Sequence, residues 1–301
     1  MIDIGTCSWT EKTLIQSGEF YPKEVKTAET RLRYYASAFS TVEVDSTYYA
    51  IPDARNAALW ADRTPEGFVF HIKAYGALTG HGIDTRTLPG DIASLLPRKE
   101  KGQVYIREPE ILKVIAERFR EALLPLTKAG KLGLLVFQFP PWFDYRTSRL
   151  DALLERKELM QGLPVAVEFR HGSWLTPGRQ EGVFTFLSRH GLTYVAADEP
   201  QYGDVSTIPF VPRVTTDTAY IRLHGRNREN WLKKGIETTL RFAYEYSADE
   251  LRTFLPSVKK MAGEARTAYV MFNNCHLGFA VKNAFVMKAL LKEKSEGGVI
   301  R

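Results

Sequence analysis

The chain has 301 residues, 44% of them hydrophobic and 25% charged, with a formal charge of +6. That balance excludes a disordered polypeptide, because apolar and aromatic surface is ample to offset the entropy of ordering. It excludes a membrane-spanning helix as well: the longest apolar runs, such as Leu132–Phe139, fall far short of the roughly 20 residues a helix needs to cross a bilayer.

Short β-rich apolar runs alternate with helical patterns from end to end. Strands are predicted at Ile2–Cys7, Val42–Tyr49, Phe68–Ala74, Leu132–Phe139, Val165–Phe169, Leu192–Ala197, Ala219–Leu223 and Ala268–Phe272. Most are nearly continuous in apolar residues, as strands covered on both faces are. Between them the 3.6-residue period predicts helices over Thr30–Phe39, Asp53–Asp62, Arg107–Lys131, Leu150–Met160, Gly182–His190, Ala248–Ala262 and Ala280–Lys292. Leu32, Tyr35, Ala36 and Phe39 share one face of the first, and Ser247 with Glu250 forms a capping box before the sixth. Two stretches depart from the rhythm. Residues 80–106 form a long irregular loop of the kind that serves as a lid or binding loop, and Gln201–Asp217, with Pro209 and Pro212, leaves the helix after strand six reduced or missing. Nothing divides the chain, so one domain over residues 1–301 is expected, with Ser295–Arg301 frayed. Eight strands alternating with helices predict an α/β fold, an irregular (β/α)8 TIM barrel.

Motif searches exclude the usual nucleotide routes. There is no G-x-G-x-x-G, no Walker lysine loop, no H-E-x-x-H and no G-x-S-x-G. The N-terminus has neither the basic nor the apolar region of a secretory signal, so a cytoplasmic setting is expected. Cys7 and Cys275 end strands one and eight; two reduced thiols are favoured over a disulfide.

Chemistry concentrates where charge interrupts the strands near their C-terminal ends. Glu43 and Asp45 leave one face of strand two, and His71, Lys73 and Tyr75 one face of strand three. Gln138 ends strand four, and Glu168 and Arg170 share a face of strand five, just before His171. Asp198 and Glu199 end strand six, Arg222 and His224 share a face of strand seven with Arg226 beyond, and Asn273 follows strand eight. In a closed barrel these ends converge on the mouth where barrel enzymes act. So much inward charge must pair internally, meet water or hold a ligand.

At these residues the chain resembles a known family. The strings G-T-C-S-W (Gly5–Trp9), F-Y-P (Phe20–Pro22), Y-Y-A-S-A-F-S-T-V-E-V-D-S-T-Y-Y (Tyr34–Tyr49), F-Q-F-P-P-W-F (Phe137–Phe143), V-E-F-R-H-G-S-W (Val167–Trp174), D-E-P (Asp198–Pro200), R-L-H-G-R-N (Arg222–Asn227), Y-E-Y-S (Tyr244–Ser247) and F-N-N-C (Phe272–Cys275) are similar to those of the YecE-like proteins, the domain of unknown function seventy-two. The resemblance implies an irregular TIM barrel and no particular reaction.

From the residues themselves, an anionic small molecule, phosphorylated or carboxylated, is the expected ligand, because guanidinium forks grip such groups with paired hydrogen bonds. Glu43, Glu168, His171, Asp198 and His224 are the candidate acid–base groups of a hydrolase, lyase or isomerase. Trp9, Asp45, Tyr49, Lys73, Gln138, Arg170, Arg222, Arg226 and Asn273 are the candidate substrate contacts, and Trp142 and Trp174 are further candidates for stacking on a ring. One alternative is a divalent-metal-dependent hydrolase or isomerase with Glu43, Glu168, Asp198 and His224 as ligands, which the nearby arginines disfavour. Another is a nucleic-acid binder; the basic residues are dispersed except at Arg98–Lys101 and Lys233-Lys234, so it is not favoured. No cofactor and no oligomeric state is read from the sequence.

Overall fold

All eight apolar runs form strands, and all of them are parallel. In chain order they are β1 (Ile2–Thr6), β2 (Thr41–Val44), β3 (Val69–Lys73), β4 (Leu132–Gln138), β5 (Val165–Glu168), β6 (Thr193–Asp198), β7 (Thr218–Leu223) and β8 (Thr267–Phe272). This computed structural model describes residues 1–96 and 102–296. Each strand pairs with its successor from β2 to β8, and β1 pairs with β8, in register Ile2 to Ala268 through Thr6 to Phe272. The result is a nearly closed barrel with helices outside it. Leu134, Val136, Ala166, Val195, Tyr220 and Met271 form a small apolar cluster inside, while the large core lies between sheet and helices.

The one side without a ladder lies between β1 and β2. Gly5 makes the approach feasible: a Cβ there would sit 2.4 Å from the Thr41 carbonyl oxygen. The Tyr35 hydroxyl, fully buried, takes the place of ladder bonds. It accepts from the Thr6 amide at 2.9 Å and donates to the Thr41 carbonyl at 3.2 Å. A second substitution of side chain for backbone occurs between β3 and β4, where the register shifts between Phe70 and Ile72. There the His71 Nδ1 accepts the Leu134 amide at 3.0 Å, and Gly133 leaves room for the ring.

Helices follow the predicted periods with shifted ends. Pro109–Lys128 starts with Pro109 in its first turn and buries Ile111, Ile115, Phe119 and Leu123. The Ser247–Glu250 capping box forms as predicted at the head of Ala248–Glu264. A short helix at Lys12–Ser17 has no counterpart in the sequence reading. The second predicted strand is shorter than expected, because Asp45–Tyr48 turns into a 3-10 helix. Thr47 Oγ1 fixes that turn, donating to the carbonyls of Val44 and Lys73. Residues 201–217 hold no helix, as expected. The long loop after β3 is not wholly irregular. It carries a two-residue hairpin, Ile83–Asp84 with Gln103–Val104, and a short helix, Gly90–Ser94. The last helix runs Phe279–Glu296, past the predicted start of fraying; the remainder of that tail, and the basic run Arg98–Lys101, lie outside the described residues. No helix among the described residues is long and apolar enough to cross a membrane.

Candidate functional site

Arg222 organises the barrel mouth. It comes from β7 and is wholly buried. Its Nη1 donates to Glu168 Oε2 at 2.5 Å and to Gln138 Oε1 at 3.0 Å; its Nη2 donates to Glu43 Oε1 at 2.7 Å. One guanidinium thus ties together side chains from β2, β4, β5 and β7. Asp45, at the end of β2, stands 3.5 Å from the same Nη2. The other oxygen of Glu43 accepts from the Tyr220 hydroxyl at 2.8 Å.

Glu168 has further partners. Its Oε1 accepts from His224 Nε2 at 3.0 Å and from Arg170 Nη1 at 3.4 Å. On the far side of the imidazole, the Asn273 side-chain amide donates to His224 Nδ1 at 2.8 Å, which sets the Nε2–H tautomer facing Glu168. Arg170 also pairs through Nε with Glu199 Oε2 at 2.7 Å and lies over the Trp231 ring at 4.8 Å. Trp231 and Phe242, on the connection after β7, both lie 6.0 Å from His224 and cover it.

The two carboxylates on Arg222 are driven apart in proton affinity. Burial and the neighbouring Asp45 push Glu43 up to about 8, against the pull of Arg222. Burial acts on Glu168 in the same sense, but Arg222, His224 and Arg170 together hold it well below the usual carboxylate range. Glu199 is raised to about 7 by burial, with Arg170 opposing. His224 is lowered to about 4 by burial despite the attraction of Glu168, so the imidazole is neutral near pH 7. Displacements in opposite directions on adjacent groups are how a site separates its acid from its base.

Lys73 is the most loosely paired cation of the mouth: its Nζ lies 3.6 Å from Asp45 and over the Tyr48 ring at 5.1 Å. Beside it stands His81, which the sequence reading did not single out, although it lies in the long loop after β3. Its Nδ1 shares a 2.8 Å hydrogen bond with Thr79 Oγ1. Burial, Lys73 and Arg170 lower it to about 3, which keeps the ring neutral.

Nine of the predicted residues therefore meet: Glu43, Asp45, Lys73, Gln138, Glu168, Arg170, Arg222, His224 and Asn273. Five lie elsewhere. Asp198 faces the opposite side of the sheet, where it accepts from the Tyr246 hydroxyl at 2.6 Å and pairs with Arg226 at 2.8 Å. That separation means Glu43, Glu168, Asp198 and His224 do not converge as a metal-ligand set. His171 bonds Ser173 Oγ at 2.7 Å at the head of a 3-10 turn. Trp9 is core, packed edge-on to Trp60 and Phe70, and Tyr49 is exposed with its edge against Tyr48. Trp174 is likewise buried in a stack with Phe143 and Phe169. Cys7 and Cys275 are free thiols, and Cys7 Sγ lies 3.7 Å from Arg222 Nη2.

The family model described as protein of unknown function DUF72 matches residues 3–299. The chain belongs to the DUF72 family. A curated relative, UPF0759 protein YunF of Bacillus subtilis (strain 168), is 32% identical over 301 residues, spanning 99% of this chain and 97% of that protein. A crystal structure of a DUF72 family protein from Enterococcus faecalis V583 superposes with a TM-score of 0.78 at 29% identity, covering 97% of this chain and 96% of that one. Another, from Thermotoga maritima MSB8, gives 0.77 at 31% identity over 97% and 99% of the two chains. In this DUF72 chain, then, sequence, family and geometry agree on the barrel.

Proposed function

We propose that the C-terminal mouth is an active site that moves a proton on a small phosphorylated or carboxylated molecule. One observation carries the reading: Glu43 and Glu168 flank a single buried guanidinium with their proton affinities displaced in opposite directions. Near neutral pH Glu43 holds a proton to donate, while Glu168 is ionised and can accept one. Neutral His224, oriented by Asn273, keeps its Nε2–H on Glu168 and so holds that carboxylate in place. Lys73 supplies the positive charge for the anionic group, since its own carboxylate partner is the most distant in the ring. Gln138 and His81 supply neutral hydrogen bonds at the same entrance. A cytoplasmic setting suits the two free thiols.

The test is a panel of phosphorylated and carboxylated metabolites incubated with the protein in D2O, followed by mass spectrometry for deuterium uptake or conversion. Turnover should fall by roughly 10²–10⁴-fold in Glu168→Gln, the usual span for a lost acid–base group, while binding persists; Lys73→Gln should weaken binding. Wild-type turnover in Glu168→Gln, or binding indifferent to Lys73, overturns the reading.

A further inference from the structure

The cations of the mouth all face carboxylates. Those of a cleft beside it are weakly paired or unpaired. This cleft, about 400 Å³, is lined by Gly80, Tyr105, Ile106, Arg107, Trp142 and Arg156. It adjoins the mouth through the edge-on contact of Trp142 with His81, 5.8 Å between ring centres.

Arg156 is the unusual member. Its side chain is only 21% exposed, yet the nearest carboxylate is Glu155 Oε2 at 3.6 Å, on a side chain that is itself 66% exposed. Burial lowers its proton affinity, with Glu155 opposing. Arg107 has no ion-pair partner among the described residues, and no acidic side chain contributes to the lining. Tyr105 and Trp142 leave half or more of their surface open, at 50% and 55%. Exposed aromatic faces beside one unpaired guanidinium and one held only by an exposed glutamate form a complementary surface for a flat ring attached to a dianion. Two positive charges match the doubly charged phosphate better than a single carboxylate.

We infer that this cleft binds a small ring compound carrying a phosphate, with Arg107 and Arg156 on the phosphate and Trp142 and Tyr105 against the ring. The site rests on its own residues and stands whether or not the mouth is catalytic. The ring is that of a sugar or of a nucleobase, and the probes separate the two.

Isothermal titration of the full chain with 5′-AMP, glucose 6-phosphate, adenosine and inorganic phosphate tests it. At least one of the two phosphate esters should bind, with adenosine about tenfold weaker or more and inorganic phosphate weaker than the ester. Preference for AMP assigns a nucleobase, and preference for glucose 6-phosphate a sugar. Arg156→Gln and Arg107→Gln should each weaken the ester by about tenfold, and Trp142→Ala should weaken the ester more than inorganic phosphate. Arg107 is exposed, so its variant remains informative if Arg156→Gln folds poorly. The inference is overturned if neither ester binds, or if both arginine variants bind like wild type. It is also overturned if Lys73→Gln abolishes binding while the arginine variants retain it, which would place the probe in the mouth.

Discussion

Replacing Arg222 with methionine tests the organisation of the mouth most directly. Methionine approximates the volume of the side chain and removes its charge. Charge centres roughly 4 Å apart attract by about 4 kcal/mol at an effective dielectric near 20, and Arg222 meets two buried carboxylates at 2.5 and 2.7 Å. That gain is offset by the desolvation of the guanidinium, so the measurable quantity is the penalty of leaving its partners behind, about 3–5 kcal/mol for a buried pair. Glu43 holds its own proton near neutrality, and Glu168 keeps His224 and Arg170. The expected loss for Arg222→Met is therefore at the lower end, about 3 kcal/mol. Urea unfolding should show a lower midpoint at unchanged m. The double variant Arg222→Met with Glu168→Gln should recover at least half of the loss, because the orphaned charge goes with its partner. A loss below about 1 kcal/mol, or no recovery in the double variant, would refute the view that Arg222 compensates buried charge.

Stability should pass through a maximum near pH 6–7. Glu43, raised from 4.5 to about 8, lends stability that is complete below its unfolded value and is lost as pH rises through about 8; Glu43→Gln should flatten that limb in urea midpoints measured from pH 6 to 9. On the acid side, His71, His81 and His224 are lowered from 6.5 to about 3, 3 and 4, so the stability they lend is present above pH 6.5 and decays toward pH 4. Gly5→Ala places a methyl 2.4 Å from the Thr41 carbonyl and must part β1 from β2; a loss of at least about 2 kcal/mol in urea unfolding is expected, and a neutral effect would mean that the two strands separate freely.

The strands were legible because both faces of a barrel strand are covered, which leaves continuous apolar runs. The same property hid the facing of polar residues at the strand ends. Every residue from Thr193 to Glu199 is buried, so no alternation marks Asp198 as pointing away from the barrel interior while Glu199 reaches Arg170. On β2, β5 and β7 the charges themselves alternate with apolar residues, and there the reading of Glu43, Glu168, Arg170, Arg222 and His224 matched where the structure places them. Trp9 and Trp174 were misplaced because an aromatic after a strand end packs inward or projects outward according to the next turn, which sequence spacing does not fix. His81, Trp231 and Phe242 arrive at the mouth on turns and single-turn helices too short to carry a periodic signal.

A phenol standing in for a ladder gives the molecule the mechanics of a strip curled edge to edge rather than of a hoop. The edges belong to the strand leading to Cys7 and the strand carrying Glu43. Widening the cavity on that flank requires loosening side-chain bonds, the Tyr35 hydroxyl from its two backbone partners and Ser40 from Asp3, whereas between the other neighbouring strands it would mean tearing paired backbone. Breathing motions of the barrel should therefore begin on the flank that carries Glu43.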